Sequence, residues 1–381
     1  MNIRCTLYGL ALVSLFISNF SYGEALLSRE KIDGWLEKLG GSNTYDSSKT
    51  IDWGVLPGPF YTPELGAGLG VAVVGLYRPD DNDHTSQISS LSLNGFASST
   101  GAFGFTFDNY NFFADDQWRF FLSGTLNNVP TYYWGTGYQA GKVNDHKEKY
   151  HSQELHLQPR VLYRVADSTY LGVGWDFSSL HAKDPDNGAK KLFAAEKDGQ
   201  SILSSGVSAY FSYDTRDFLP NAHQGHVLDI TYTHFSPALG SDRRFNTVDT
   251  QYSTYYQLDE KSVLAFDSYG RFTDGQVPWN MLSMLGNSNR MRGYYEGRYR
   301  DKNVISTQLE YRRKLNWRHG FVLWAGAGTL SHYAKDIGSE NWLPTVGAGY
   351  RFEFKPKMNV RLDFGIGKKS NGFYFQVGEA F

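Results

Sequence analysis

The sequence is poorest in cysteine, with Cys5 alone among 381 residues. Cys5 precedes the apolar N-terminal stretch, so it is not placed to be a lipoprotein cysteine, and a chain processed after it carries no thiol to mispair. Long apolar runs are missing as well. Past the N-terminus nothing approaches the roughly 18 apolar residues of a membrane-spanning helix, which excludes a helical membrane protein. Charge of one sign is also lacking: 37 Lys and Arg face 39 Asp and Glu, a net charge of −2. No excess therefore draws nucleic acid or an acidic substrate. Enzyme signatures do not occur either. There is no Gly-x-Ser-x-Gly elbow, zinc helix or phosphate loop, and Ser, His and Asp are scattered without a triad pattern. The expectation is a non-enzyme with no catalytic residue, metal or cofactor.

What is abundant points the other way. Aromatics reach 16% and glycines number 40, while the mean hydropathy is only −0.44. That mixture suits many strands that are apolar on one face. Residues 1–23 read as a signal peptide: Arg4 supplies positive charge, residues 7–17 form a short apolar core, and Ser21-Tyr22-Gly23 offers small residues for cleavage between Gly23 and Glu24. Residues 24–50 read as a periplasmic helix and linker. Leu26, Leu27, Ile32, Trp35, Leu36 and Leu39 make an apolar stripe that Gly40 and Gly41 end. This helix packs near a barrel mouth or lies on the membrane surface.

From residue 51 to 381 the pattern alternates polar and apolar in segments of about ten residues, the signature of transmembrane strands. Leu203, Val207, Ala209, Phe211 and Tyr213 share one face, with Ser204, Gly206, Ser208 and Ser212 on the other. Ile305, Thr307, Leu309 and Tyr311 point out while Ser306, Gln308, Glu310 and Arg312 point in; Val360, Leu362, Phe364 and Ile366 point out while Arg361 and Asp363 point in. Charge on inner faces argues for a wet lumen rather than the dry core of a sandwich. Short turns near 114–116, 166–168, 259–261, 316–318 and 355–357 alternate with long loops at 127–149, 181–200, 273–302 and 331–341, as periplasmic turns and external loops do. The fold class is all-β: an antiparallel transmembrane β-barrel of about 16 strands in the outer membrane of a Gram-negative cell, solvated by its lipids. The first strand, near 52–61, contains Pro57 and Pro59, which cannot donate to a ladder, so it sits at a weakly paired seam with the last strand. Phe60, Tyr61, Val377 and Phe381 are the expected seam residues. Phe373, Phe375, Val377 and Phe381 share the lipid face of the last strand, with Glu379 near the interface.

Arg290-Met291-Arg292-Gly293-Tyr294, inside the longest loop, resembles the Arg-Gly-Tyr/Phe motif of the BamA/TamA superfamily, the bacterial surface antigens. Gly297-Arg298-Tyr299-Arg300-Asp301, Leu309-Glu310-Tyr311-Arg312, the ending from Phe373 to Phe381 and the turn Tyr61-Thr62-Pro63-Glu64-Leu65-Gly66 continue the likeness. The resemblance implies that this loop folds back into the lumen. A guanidinium forks onto a carboxylate with directional hydrogen bonds, and Glu310 has the inward parity to receive one. Arg292, Gly293, Tyr294 and Glu310 are therefore the expected loop lock. Many family members carry an aspartate where Gly326 stands, so the lock is expected to rest on Glu310 and backbone carbonyls. Residues 24–49 leave no room for the periplasmic POTRA domains of the family's assembly and secretion barrels.

The resemblance implies insertion or translocation of periplasmic or outer-membrane proteins. Two other readings stay open: a passive pore or receptor with a constricting loop, and a translocation barrel served by a separate chain that docks on the helix within 24–39. His223-x-x-His226, Asp80-Asp81-Asn82-Asp83 and Asp214-Thr215-Arg216-Asp217 read as turn and rim residues rather than metal sites.

Overall fold

The computed structural model describes residues 29–41, 45–62, 65–183, 185, 193, 196, 199–338 and 342–381. The expected signal peptide, its expected cleavage point at Gly23 and Glu24, and the first residues expected in the helix lie outside them, as do the side chains of Phe60 and Tyr61.

A helix, α1 (Arg29–Lys38), precedes the sheet. The first strands are β1 (Asp52–Thr62), β2 (Gly66–Tyr77), β3 (Ser89–Ser98), β4 (Phe103–Phe113), β5 (Trp118–Tyr133) and β6 (Glu148–Ala166). They are followed by β7 (Thr169–Lys183), β8 (Ser201–Asp214), β9 (Gly225–Phe235), β10 (Phe245–Asp259) and β11 (Ser262–Gly275). Two three-residue strands, β12 (Ser283–Leu285) and β13 (Tyr299–Asp301), pair only with each other inside the long loop. The wall resumes with β14 (Asn303–Asn316), β15 (His319–Ser331), β16 (Leu343–Lys355), β17 (Met358–Gly367) and β18 (Ser370–Val377). All but β12 and β13 form one 16-stranded sheet in chain order, antiparallel throughout.

Burial follows the expected period of two. Along β14, Ser306, Gln308, Glu310 and Arg312 are buried and Leu309 is exposed. Along β8, Ser204, Ser208 and Ser212 are buried while Val207 and Tyr213 are exposed. Exposed Leu69, Val173, Leu323, Val346 and Phe373 belong to the face that acyl chains solvate. The sheet's ends meet. A Cβ added to Gly58 of β1 would stand 3.8 Å from the Phe375 ring of β18. Leu36 of α1, Phe354 and Val360 form a cluster against which Leu56, Phe375 and Val377 pack.

α1 sits at the rim where the short turns lie and is held by the β14–β15 turn. Arg318 donates to Asp33 (3.1 Å), to the carbonyls of Glu353 and Phe354 (3.0 Å each) and to Gly41 (2.9 Å), and Trp317 donates to Asp33 (3.2 Å). Of the expected apolar stripe, Leu36 is buried but Trp35 is exposed.

The end of the chain departs from expectation. Phe381 is not in the lipid-facing row, and Glu379 is not an interfacial charge. Gly378 takes φ +86°, a left-handed conformation that turns residues 378–381 into the lumen. There Glu379 accepts from Arg351 (2.8 Å) and from Asn359 (2.7 Å), and the Phe381 ring lies 4.9 Å under the Arg312 guanidinium beside Tyr255. A carboxylate that finds an arginine inside outweighs one more apolar ring in lipid.

Candidate functional site: the lumen loop and the strand seam

The loop at 276–302 packs its apolar residues against the wall beside the charged contacts it makes. β12 and β13 close it into a hairpin, and Leu285, Met291, Tyr294 and Tyr299 pack on Val304, Leu330 and Leu343 of the wall. At its turn, Met291 and Gly293 both have positive φ, +53° and +106°. This thrusts Arg292, fully buried, toward the wall.

Arg292 meets two carboxylates from different strands. It pairs with Glu310 of β14 and donates to Asp363 of β17 at 2.7 Å. Its guanidinium lies 3.7 Å from the centroid of the Trp324 ring of β15, a cation–π contact. Asp363 accepts in addition from Arg351 (2.5 Å) and Arg361 (2.9 Å), and Glu310 from Arg312 (3.0 Å). With Glu379 on Arg351, four arginines (292, 312, 351, 361) face three carboxylates (310, 363, 379), an excess of one positive charge. A second pair fixes the preceding residue: Arg290 forks onto Asp267 of β11 at 2.7 and 3.0 Å. Arg361 also donates to the loop, to the carbonyl of Ser288 (2.7 Å) and to Asn289 (2.6 Å).

Gly293 and Tyr294 make backbone and hydroxyl contacts. The Gly293 amide donates to Tyr374 of β18 (2.8 Å). A Cβ on Gly293 would lie 2.8 Å from backbone atoms of Gly365, Ile366 and Gly367, so no side chain fits. Tyr294 donates to the Pro344 carbonyl and accepts from the Lys368 amide, both at 2.7 Å.

Arg292, Gly293, Tyr294 and Glu310 thus come together in one place. Sequence reasoning missed Asp363. The second carboxylate comes not from the strand of Gly326, nor from backbone carbonyls alone, but from β17. Gly326 stands opposite Gln308 in the ladder, and Gln308 accepts from Arg292 at 3.4 Å and donates to the Asn289 carbonyl at 3.0 Å. The inward parity of Asp363 was visible; its depth in the lumen was not.

Of the expected seam residues, Phe381 lies against Arg312, a partner of Glu310, while the others are on the first and last strands. Phe60 and Tyr61 pair with Gly68 and Ala67 of β2, and Val377 pairs with Val360 of β17. The contact between β1 and β18 that the structure shows is at Gly58 and the tip of the Phe375 ring, not between Phe60 and Val377. The free edge of β1 is poor in donors for a reason that can be read residue by residue. The Val55 amide points away from β2 and donates to the Leu39 carbonyl (2.7 Å). Amides two apart on a strand point the same way. Pro57 and Pro59 therefore fall on the same outer edge, where neither has an N–H to give. Among the described residues, no group of three or more His, Cys, Asp and Glu has the geometry of a metal site.

Residues 88–381 match the Omp85 superfamily domain. No curated protein matches in sequence. Solved structures that share the fold include the following three. The crystal structure of BamA from Haemophilus ducreyi lacking POTRA domains 1–3 aligns at TM-score 0.50 and 15% identity, over 85% of this chain and 69% of that one. CdiB from Acinetobacter baumannii aligns at 0.52 and 13%, over 85% and 58%, and CdiB from Escherichia coli at 0.57 and 11%, over 88% and 63%. The chain thus spans less than two thirds of either CdiB. A 16-stranded wall, a loop lodged in its lumen and a domain match over most of the sequence agree: this chain belongs to the Omp85 superfamily, as a non-enzymatic β-barrel of the Gram-negative outer membrane.

Proposed function

We propose that this barrel inserts or translocates polypeptides at the outer membrane through a seam between β1 and β18. The observation that carries the reading is the donor-poor edge of β1, where Val55 is diverted to Leu39 and Pro57 and Pro59 have no amide hydrogen. An unpaired strand edge is a template for another strand. Its partner β18 is short, with 8 residues against 14 in β14, because Gly378 takes the chain inward. Among the described residues β1 and β18 share no ladder, so separating them disturbs mainly the packing of Leu56 with Phe375 and Val377, while the other strand pairs keep the wall intact. In this reading the lock formed by Arg292, Gly293, Tyr294, Glu310 and Asp363 keeps β14 to β17, the stretch of wall that leads to β18, rigid while the seam moves. Periplasmic or outer-membrane proteins are the substrates.

The test is a reversible seam lock. Cysteines at Gly58 and Phe375 are oxidised, and insertion of an unfolded outer-membrane barrel into proteoliposomes is followed. Activity lost on oxidation and regained on reduction is the expected result. Full activity in the oxidised barrel overturns the reading, and a steady ion-selective current indifferent to the lock identifies a pore instead.

A further inference from the structure

The periplasmic turn at 215–224 does not end at the rim but crosses the mouth of the barrel. It joins β8 and β9, the eighth and ninth of sixteen strands, which lie opposite the seam. Yet Phe218 is buried with Val74 and Leu76 of β2 and Met358 of β17, beside the seam, with Ile88 and Val377 packed on them. Asp217 receives Lys357 of the β16–β17 turn at 2.6 Å. Gln87 of the β2–β3 turn holds the crossing from both sides: it donates to the Arg216 carbonyl and accepts from the Leu219 amide, each at 3.1 Å. The inturned residues 378–381 complete the closure. The Glu379 amide donates to Pro220 (3.2 Å), and Phe381 packs in the cluster of Ala222, Tyr255, Val263 and Ala265. Above this floor is a polar chamber of about 340 Å³, bounded by Leu219, Pro220 and residues 378–381 below and by Ser288, Asn289 and Arg290 of the lodged loop.

We propose that residues 215–224, braced by the Asp217–Lys357 pair and by residues 378–381, form a periplasmic hatch that closes the lumen and swings on the β8–β9 end of the wall. The hinge is in place: Gly225 has φ +99°, and a Cβ there would meet backbone atoms of Thr215 and Arg216. The anchors across the mouth are one ion pair, two side-chain bonds of Gln87, the Phe218 ring among aliphatics, the Glu379 amide on Pro220 and the packing of Phe381 against Ala222. The chamber is thereby reached from the periplasm when the hatch is out, independently of whether the seam opens.

Conductance tests this with the seam disulfide in place, so that only the lumen can carry current. The full-length parent barrel in planar bilayers should rest closed. Replacing residues 217–223 by a short Gly-Ser turn should give a persistent open current, as should Asp217→Lys or Lys357→Glu with a smaller open fraction. The Asp217→Lys/Lys357→Glu double variant should return to the closed state. Each protein is first shown to be folded by its heat-modifiable mobility in electrophoresis. If the folded turn-deleted barrel carries no more current than the parent, or if the charge swap fails to restore closure, the hatch is overturned.

Discussion

Asp363 is the keystone of the lumen cluster, and its neutralisation gives the sharpest prediction. Asp363→Asn keeps the volume and removes the charge that Arg292, Arg351 and Arg361 share at 2.7, 2.5 and 2.9 Å. Four arginines would then face two carboxylates in a buried site. Breaking one side of a buried ion pair costs about 3–5 kcal/mol, and three stranded guanidinium groups place this change at the upper end. At about 1.4 kcal/mol per tenfold, the lodged state of the loop should fall by roughly 10³-fold or more relative to the released one. Trypsin reads the release directly, because Arg290, Arg292 and Arg298 lie in the loop. The midpoint of the heat-modifiable mobility shift reads stability. Asp259→Asn is the control, since its pair with Arg313 is exposed and 3.5 Å long and its loss should leave the mobility-shift midpoint nearly unchanged. Adding Arg361→Met to Asp363→Asn leaves three arginines against two carboxylates, the original excess of one, and should recover part of the loss. If Asp363→Asn behaves like Asp259→Asn in both assays, the cluster does not hold the loop.

Further outcomes can be checked in the same assays. Gly293→Ala should destabilise by about 1–3 kcal/mol, because it adds strain at φ +106° and a contact of 2.8 Å with the backbone of β17; an unchanged mobility-shift midpoint refutes this. Arg318→Ala should strip α1 from the rim, exposing residues 29–41 to protease while the wall stays folded, since it removes the donor that Asp33, Gly41, Glu353 and Phe354 share. The hatch should open on acidification in two steps, read as current with the seam locked. Burial, then Lys357, lowers the pKa of His223, so the closed state holds it neutral and loses stability as pH falls below the free value of about 6.5. For Asp217, burial raises the pKa, but the bond from Lys357 and the His223 amide more than offset that. Its contribution is present above about pH 4 and is lost as pH falls through the lowered value. His223→Gln should abolish the first step only; a two-step response that survives the substitution counts against it.

The wall was legible because its code is local. A period of two puts Glu310 and Arg312 on one face and Leu309 on the other, whatever lies elsewhere in the chain. The loop motif was legible as a pattern, and parity alone assigned Glu310 its side of the wall. Asp363 was not assigned as a partner because depth in a barrel depends on the cumulative stagger of strands, which no single segment carries. Glu379 and Phe381 were misplaced for a similar reason. Extending the strand pattern past Gly378 assumes an extended backbone, and the partners that defeat it, Arg351 and Arg312, sit tens of residues earlier. The turn at 215–224 read as a simple rim because its contacts lie across the mouth, on strands far away in sequence.

Gly293 and Gly365 touch through bare backbone, so nothing adjustable lies between the loop tip and the wall. The arginines and carboxylates govern how firmly the tip is held, but these two residues determine how close it comes. Retuning the ion pairs should therefore alter how often the tip leaves its place without altering where it returns, whereas a single methyl at either glycine would move the resting place itself.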